Sequence, residues 1–394
     1  YGRPSDAMKM IGITGTKGKT SIAYLLESVL TAAGHTVGAL GTINYRMAGQ
    51  VLCAAPNTTP AALVLFNLLA QMRRKPCDSV VMEVSSHALE LQRVRHIWYD
   101  TAVFTNLQRD HLDFHHTFEN YFKAKQKLFE NLADPHNPKP HRTAVLNADD
   151  PYGRRLLEAF RGRVNTVTFS LDTPSDWQAA NIRETLEGTS FEVRGVPMHI
   201  RLLGRHNVYN ALAACAAAQA SGVSLEQMAQ GLARLPGVPG RMERVDAGQD
   251  FFVFVDFAYT NEALQRAFDT LAPFKKSRLF VVFGCGGQRD RTKRPLMGKT
   301  ACSHADRVFL TNDNPRCEDP KQIFNDILQG MNGFTNYEIV PDRAEAIGRA
   351  LHTARPGDIV LVAGKGHEDY QIIGTEKRHF SDKETICSFL RQGK

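Results

Sequence analysis

Several common classes are excluded by what the chain lacks. No apolar run approaches the ~20 residues needed to cross a bilayer, and the opening Tyr1-Gly-Arg-Pro-Ser-Asp6 has no basic-then-apolar leader pattern. It also has no initiator Met, so the chain is expected to be a piece of something longer. The seven cysteines are odd in number and contain no Cys-x-x-Cys, which argues against a disulfide framework and a thiolate zinc site. A reducing, cytoplasmic setting follows. Charge of one sign is not concentrated: Lys+Arg 48 against Asp+Glu 41 gives +7, scattered along the chain. The local basic concentrations, 288–294 and 73–75, form neither tail nor stripe. The excess suits small anions, and neither nucleic acid nor membrane is expected as a partner. There is no internal repeat and no low-complexity tract.

What is present is ordinary globular composition, 43% hydrophobic and 23% charged over 394 residues. That length holds two or three domains. Strand-length apolar runs at 9–13, 79–84, 101–105, 143–146 and 164–169 alternate with helical spacing at 21–33, 61–73 and 118–132. This pattern predicts a mostly parallel sheet wrapped by helices. Period-two alternation over 177–203 predicts an antiparallel appendage, and helices follow at 207–220 and 225–235. Leu235-Pro-Gly-Val-Pro-Gly240 packs two chain breaks into six residues. The predicted domains are therefore 1–238 and 239–394. The first is a mononucleotide-binding α/β domain of the phosphate-loop type, the second a smaller Rossmann-like α/β domain. Its predicted strands are 251–256, 278–283, 306–311 and 358–362, with a helix at 262–271.

Three signals carry chemistry. In the first, a strand runs into Gly12-x-x-Gly15-x-x-Gly18-Lys19-Thr20 and then a helix. Glycines let the backbone wind around an anion, and a helix N-terminus turns its free N–H groups toward phosphate. Lys19 supplies a point charge, and the Thr20 hydroxyl can ligate Mg²⁺. The spacing is a variant of the usual phosphate loop. The second signal is Glu83 and His111, each after an apolar strand, at the sheet edge where ligands gather. Lys125, by its residues alone, reads as one lysine on an exposed helical face. The third lies in the second domain, where Asn314 and Arg316 follow a strand. Gly284-Cys-Gly-Gly287 and Gly364-Lys-Gly-His-Glu368 also follow strands. Three polar loops at one sheet edge predict one ligand site, with Arg316 offering a rigid fork to a carboxylate.

These residues, together with Asn57-Thr-Thr-Pro60, Glu83-Val-Ser-Ser-His-Ala-Leu89, Asp110-His-Leu-Asp113, Asn147-Ala-Asp-Asp150, Gly204-x-His-Asn-x-x-Asn210, Pro239-Gly-Arg-Met-Glu243 and Asp256-Phe-Ala-Tyr-Thr260, resemble the Mur ligases of peptidoglycan synthesis. The matches run in one order over nearly the whole chain. Asp313-Asn-Pro-Arg316 resembles the pattern of the branch that adds meso-diaminopimelate.

The resemblance implies an ATP-dependent amide ligase. ATP would phosphorylate the D-glutamate γ-carboxylate of UDP-N-acetylmuramoyl-L-alanyl-D-glutamate, and the amine of meso-diaminopimelate would displace phosphate. It implies Lys19, Lys125 and His111 as catalytic residues. A Mg²⁺ shell would be drawn from Thr20, Glu83, His111 and a carbamylated Lys125. Gly15, Thr16, Lys17, Gly18, Lys19, Thr20, Ser21, Asn207, Arg241 and Asp256 would bind ATP. Asn57, Thr58, Thr59, Ser85 and Arg93 would hold the uridine-linked substrate. Arg289, Asp313, Asn314, Pro315, Arg316, Gly364 and Glu368 would form the diaminopimelate pocket. Arg316 would pair with the distal carboxylate, which lysine lacks. A monomer is expected. The chain departs from the family pattern at Lys17, Ser21, Leu91, Tyr259, Asn261 and Gln288. It also begins where family members carry a further N-terminal domain, so a fragment is expected. Two other readings are a folylpolyglutamate synthetase-like ligase and a non-catalytic nucleotide-binding module. Asn57-Thr-Thr-Pro60 and the Asp313–Arg316 stretch argue against the former, and the retained Lys19, Glu83, His111 and Lys125 against the latter.

Overall fold

The computed structural model describes residues 2–392. The chain forms two compact α/β units that part at Pro236–Gly237.

The first unit is built on a nine-stranded sheet. Its strands are β1 (Lys9–Thr14), β2 (Val37–Leu40), β3 (Asn44–Met47), β4 (Gln50–Ala54) and β5 (Ser79–Glu83). They continue with β6 (Thr101–Phe104), β7 (Thr143–Asn147), β8 (Asn165–Ser170) and β9 (Trp177–Gln178). The order is β4-β3-β2-β5-β1-β6-β7-β8-β9, parallel except at β2–β3 and β3–β4. The middle strands are buried on both faces, which is why they read as continuous apolar runs rather than alternating ones. Strands β5 and β6 flank β1 on opposite sides, so a crevice opens at the C-terminal end of β1.

Around this sheet lie α1 (Lys19–Ala32), α2 (Ala62–Arg74), α3 (Ser86–Glu90), α4 (Leu112–His115) and α5 (Phe118–Ala133). Helices α6 (Pro151–Phe160), α7 (Arg205–Gln219) and α8 (Leu225–Arg234) complete the unit. The Thr117 side chain accepts the Asn120 N–H to start α5, whose buried stripe includes Tyr121, Lys125, Leu128 and Leu132. The reading of Lys125 as an exposed lysine is therefore corrected: it lies on the apolar face and is 1% exposed. The expected appendage also differs. Trp177–Gln178 joins the main sheet, and only β10 (Ala180–Thr185), β11 (Gly188–Val193) and β12 (Val196–Ile200) form a separate antiparallel sheet.

The second unit has strands β13 (Glu243–Arg244), β14 (Phe252–Asp256), β15 (Leu279–Phe283), β16 (Arg307–Leu310), β17 (Tyr337–Ile339) and β18 (Ile359–Ala363). Their order is β13-β14-β18-β15-β16-β17, parallel except for β13. Helices α9 (Asn261–Leu271), α10 (Lys293–His304), α11 (Pro320–Leu328), α12 (Arg343–Thr353) and α13 (Asp382–Gln392) accompany them. A hairpin, β19 (Tyr370–Ile373) and β20 (Glu376–His379), follows β18. A core including Val253, Val255, Phe280, Phe309, Val360 and Ile347 fills the space between sheet and helices. Among the described residues, no helix is long and apolar enough to cross a membrane.

Candidate active site

The phosphate loop connects β1 to α1 and is latched to the segment after β6. Thr105 Oγ1 donates to the Lys17 carbonyl at 2.6 Å, and the Asn106 carbonyl accepts Thr16 N–H at 2.9 Å. Gly15, at φ 145°, is needed for this approach, because a Cβ there would fall 1.8 Å from Thr105 Oγ1. Gly12 has a different role from the one its spacing suggests. It lies inside β1, paired with Met82 and Ala102, and its missing Cβ makes room for the Tyr99 ring. Only Gly15 and Gly18 shape the loop.

Two amines converge on one carbonyl. Lys19 Nζ donates to Gly15 O at 2.9 Å and to Thr16 O at 3.0 Å, while Lys125 Nζ donates to Gly15 O at 2.8 Å. The Lys125 amine also sits 4.4 Å above the Tyr121 ring. Burial, and then the Lys19 charge, push its pKa well below the ordinary lysine value. Burial and the Lys19 charge thus both favour the neutral form of the Lys125 amine.

Glu83 ends β5 at the level of Ile13 and is 1% exposed. Its carboxylate accepts Thr20 Oγ1 at 3.0 Å, Thr42 Oγ1 at 2.9 Å and Thr42 N–H at 2.9 Å. A Cβ on Gly41 would fall 2.3 Å from Glu83 Oε1, so the turn after β2 exists to let this acid in. These donors are hard oxygens. Mg²⁺ typically takes one or two carboxylates and completes its shell with waters and substrate phosphates. Thr20 and Glu83 fit such an ion. Among the described residues, no three His, Cys, Asp or Glu side chains are grouped as a metal cage. His111, at φ 54°, caps α4 and stands 6.0 Å from the Tyr121 ring and 4.9 Å from His87. Burial lowers its pKa, against the pull of Asp110.

The other residues singled out in this unit fall around the same crevice. Thr59 Oγ1 donates to Glu83 O at 2.8 Å and accepts Ser85 N–H at 3.0 Å, and Arg93 Nη1 reaches Thr59 O at 3.3 Å. Thr58 Oγ1 meets Thr42 Oγ1 at 3.1 Å, and the Asn57 carbonyl accepts Tyr45 OH at 2.7 Å. Lys17 pairs with Asp110 at 3.3 Å, and Ser21 lies in the first turn of α1. Asn207 reaches the loop through Asn210, whose Nδ2 donates to Asn207 Oδ1 at 2.9 Å. A Cβ on Gly18 would fall 2.5 Å from Asn210 Oδ1. Asn210, Thr42 and Tyr121 are thus part of the site although sequence reasoning did not assign them. Asn210 had a signal, since it lies one helical turn beyond Asn207.

In the second unit, Asp313, Asn314, Pro315 and Arg316 follow β16. Arg316 takes φ 52° and donates from Nη1 to Gly287 O at 2.9 Å. Its backbone is clamped by the hairpin, with Arg316 N–H on Ile372 O at 3.0 Å and Gly374 N–H on Arg316 O at 2.8 Å. Asn314 Nδ2 donates to Glu368 Oε2 at 3.0 Å. Gly364, at φ 116°, leaves space that a Cβ would close to 2.8 Å from Asp313 Oδ2. Burial raises the Asp313 pKa, offset in part by Lys365 and Arg343. Arg289 is exposed beside Gly286, whose missing Cβ leaves room for Arg316 Nη1. Arg241 and Asp256 form a second group at the end of β14. Asp256 Oδ2 accepts Met242 N–H at 2.7 Å, and Arg241 lies 5.4 Å from the Phe257 ring. Burial pushes the Asp256 carboxyl up to about 6, against Met242 N–H and Arg241.

The basic stretch 288–294 is not an open anion patch. Arg294 is 0% exposed and bonds both Glu318 and Asp326, and Arg291 pairs with Asp326 at 2.9 Å.

Comparison with known proteins assigns this architecture. Residues 13–218 match the Mur ligase middle domain, and residues 240–366 match the Mur ligase, glutamate ligase domain. The chain is 45% identical over 388 residues to the UDP-N-acetylmuramoyl-L-alanyl-D-glutamate–2,6-diaminopimelate ligase of Bacillus cereus, covering 98% of this chain and 78% of that protein. Against the enzyme of that name from Solibacter usitatus, identity is 46% over 396 residues, covering 99% and 79%. A solved structure of a ligase of the same name superposes with TM-score 0.74 at 34% identity, covering 98% of this chain and 79% of that one. A Mycobacterium tuberculosis folylpolyglutamate synthase superposes at TM-score 0.69 with 18% identity, covering 92% and 89%, a likeness of fold alone. The chain belongs to the Mur ligase family, the ATP-dependent acid–amino-acid ligases of peptidoglycan synthesis.

Proposed function

We propose that this chain joins meso-2,6-diaminopimelate to the D-glutamate γ-carboxylate of UDP-N-acetylmuramoyl-L-alanyl-D-glutamate. The observation that carries this reading is the Asp313–Arg316 loop, where a guanidinium is held on Gly287 O and acts, with the acids Asp313 and Glu368, on Tyr370. A cationic fork beside two carboxylates suits an amino acid presenting both a carboxylate and an ammonium.

The reaction has two steps. The γ-carboxylate attacks the terminal phosphorus of ATP, giving an acyl phosphate and ADP. The diaminopimelate amine then adds to the acyl carbon, loses a proton, and phosphate leaves as the amide forms. Repulsion between a carboxylate and a polyanion dominates the first barrier, so fixed positive charge and in-line placement do most of the catalysis. Lys19 supplies that charge, and the backbone of Gly15, Thr16, Lys17, Gly18 and Ser21 wraps the phosphates. Asn207 in the first unit, and Arg241 and Asp256 in the second, are each proposed to contact the nucleotide. Thr20 and Glu83 would hold Mg²⁺, with His111 and a carbamylated Lys125 at a second ion; bound there, the metal neutralises phosphate charge. Carbamylation is the attack of the Lys125 amine on CO₂ with loss of a proton, and it needs the neutral amine that burial and Lys19 favour. Asn57, Thr58, Thr59, Ser85 and Arg93 hold the muramyl substrate.

The test is direct. The full chain with ATP, Mg²⁺, the muramyl dipeptide nucleotide and meso-diaminopimelate is expected to release one phosphate for each amide formed, read by phosphate assay and product mass. Phosphate release without an amide product would contradict the reading.

A further inference from the structure

Lys365 lies two residues past the end of β18 and is 0% exposed. A buried ammonium is costly unless its N–H groups find acceptors and its charge a counter-charge. Lys365 Nζ lies 3.3 Å from Asn314 Oδ1 and 3.3 Å from Glu368 Oε2. Asn314 Nδ2 donates to the same Glu368 oxygen, and Asn314 Oδ1 also accepts Ile372 N–H at 2.9 Å. Lysine, amide and carboxylate thus close a triangle at the edge of the amino-acid pocket. Asp313 is buried next to it. The charges that act on Asp313 are Lys365 and Arg343, which favour its ionised form, and Glu368 and Asp382, which oppose it. Lys293, Cys285 and Tyr370 also face it. Arg343 is taken by Asp382, with two contacts at 2.7 and 2.8 Å, whereas Lys365 contacts the pocket acid Glu368 directly.

We propose that Lys365 is a positioning residue for amino-acid recognition: it fixes Glu368 against Asn314 and balances one of the two acids, Asp313 and Glu368. Asp313 and the Glu368 so held then present negative charge to an ammonium, while Arg316 meets a carboxylate. The far end of diaminopimelate is such a zwitterion. A lysine side chain answers the negative charge but leaves Arg316 unpaired. Without Lys365, Glu368 loses the ammonium that holds it against Asn314 and the two acids repel, so the arrangement that receives the ammonium is lost. This inference rests on the diaminopimelate reading.

The experiment measures kcat and KM for diaminopimelate and for ATP between pH 6 and 9, in the parent and in Lys365→Met, Lys365→Gln and Lys365→Arg. Lys365→Met is expected to raise KM for diaminopimelate at least tenfold while KM for ATP stays within twofold. Removing a positive neighbour raises a carboxyl pKa, so the acid limb of kcat/KM for diaminopimelate is expected to move up by at least half a pH unit. Lys365→Arg is expected to recover most of the lost KM. A parent that forms no amide would overturn the function itself. An active parent with a Lys365→Met variant of unchanged KM and unchanged acid limb would overturn only the inference, as would equal rises in both KM values. Should Lys365→Met fail to fold, Lys365→Gln, which keeps a donor without the charge, carries the same expectations. Failure of both neutral variants to fold would assign Lys365 to the core and overturn the proposal.

Discussion

Thr20 Oγ1 donates to Glu83 Oε2 at 3.0 Å, tying the first turn of the phosphate-loop helix to a buried acid on the neighbouring strand. The contact joins residues 63 positions apart, and both are suited to one hard cation. Glu83→Gln keeps the shape and loses the charge. Phosphate release at saturating Mg²⁺ is expected to fall at least ~10²-fold, with an unchanged circular dichroism spectrum. Retained turnover would remove Glu83 from the site.

Lys125 lies in a buried niche where it shares the Gly15 carbonyl with Lys19, and burial lowers its pKa. Lys125→Ala is expected to cut phosphate release by ~10²-fold or more, with partial recovery in acetate or bicarbonate. In the parent, ¹³C-labelled CO₂ is expected to give a carbamate carbon signal that the variant lacks. Full activity of Lys125→Ala without additives would end the carbamate assignment.

Asp256 titrates at about 6 because burial outweighs its contacts with Met242 N–H and Arg241. A carboxyl raised on folding binds a proton in the native state that the unfolded chain has released. Its contribution is present below pH ~4 and is lost as pH rises through about 6. Asp256→Asn is therefore expected to gain ~1–3 kcal/mol relative to the parent between pH 5 and pH 8. Urea unfolding at the two pH values checks this, with equal shifts at both contradicting it.

Arg294 is buried between Glu318 and Asp326 and donates to Gly286 O at 3.1 Å. Arg294 holds Glu318 down to about 2, and Arg291, with Arg294, does the same for Asp326. Arg294→Met leaves Glu318 without its ion-pair partner and Asp326 with Arg291 alone, and is expected to cost ~3–5 kcal/mol in urea unfolding at pH 7. Carboxyl pKa values lowered on folding stabilise above the ordinary carboxylate range, and the benefit is lost as pH falls toward about 2. The gap between parent and variant is expected to narrow over that range.

How much of this was visible in the sequence depended on how local each signal was. The parallel strands and the Gly15–Thr20 loop were readable because a buried strand is apolar along its length and a phosphate turn needs its glycines in sequence. Lys125 misleads when read alone, since a lone lysine in a helix is usually solvated; yet Tyr121, Leu128 and Leu132 share its face and mark it as inward. Strands β2, β3 and β4 were missed: β2 and β3 are only four residues long, and β4 is an exposed or half-exposed edge strand with no alternating pattern. Glu83 could be picked out by its place at a strand end, but Thr42 could not, being brought in by a turn 41 residues away. The Arg294 network was hidden for the same reason, because its acids come from a later loop and helix.

The central claim is that Arg316 reads the far carboxylate of the added amino acid. The most direct measurement is the ratio of kcat/KM for meso-diaminopimelate over L-lysine, in the parent and in Arg316→Ala. The parent is expected to favour diaminopimelate by ~10³-fold or more. The variant is expected to lose at least ~10²-fold of that ratio while KM for ATP stays unchanged, on the scale of removing one partner of a buried charge pair. A parent that couples lysine as readily as diaminopimelate, or a variant with an unaltered ratio, would contradict the account.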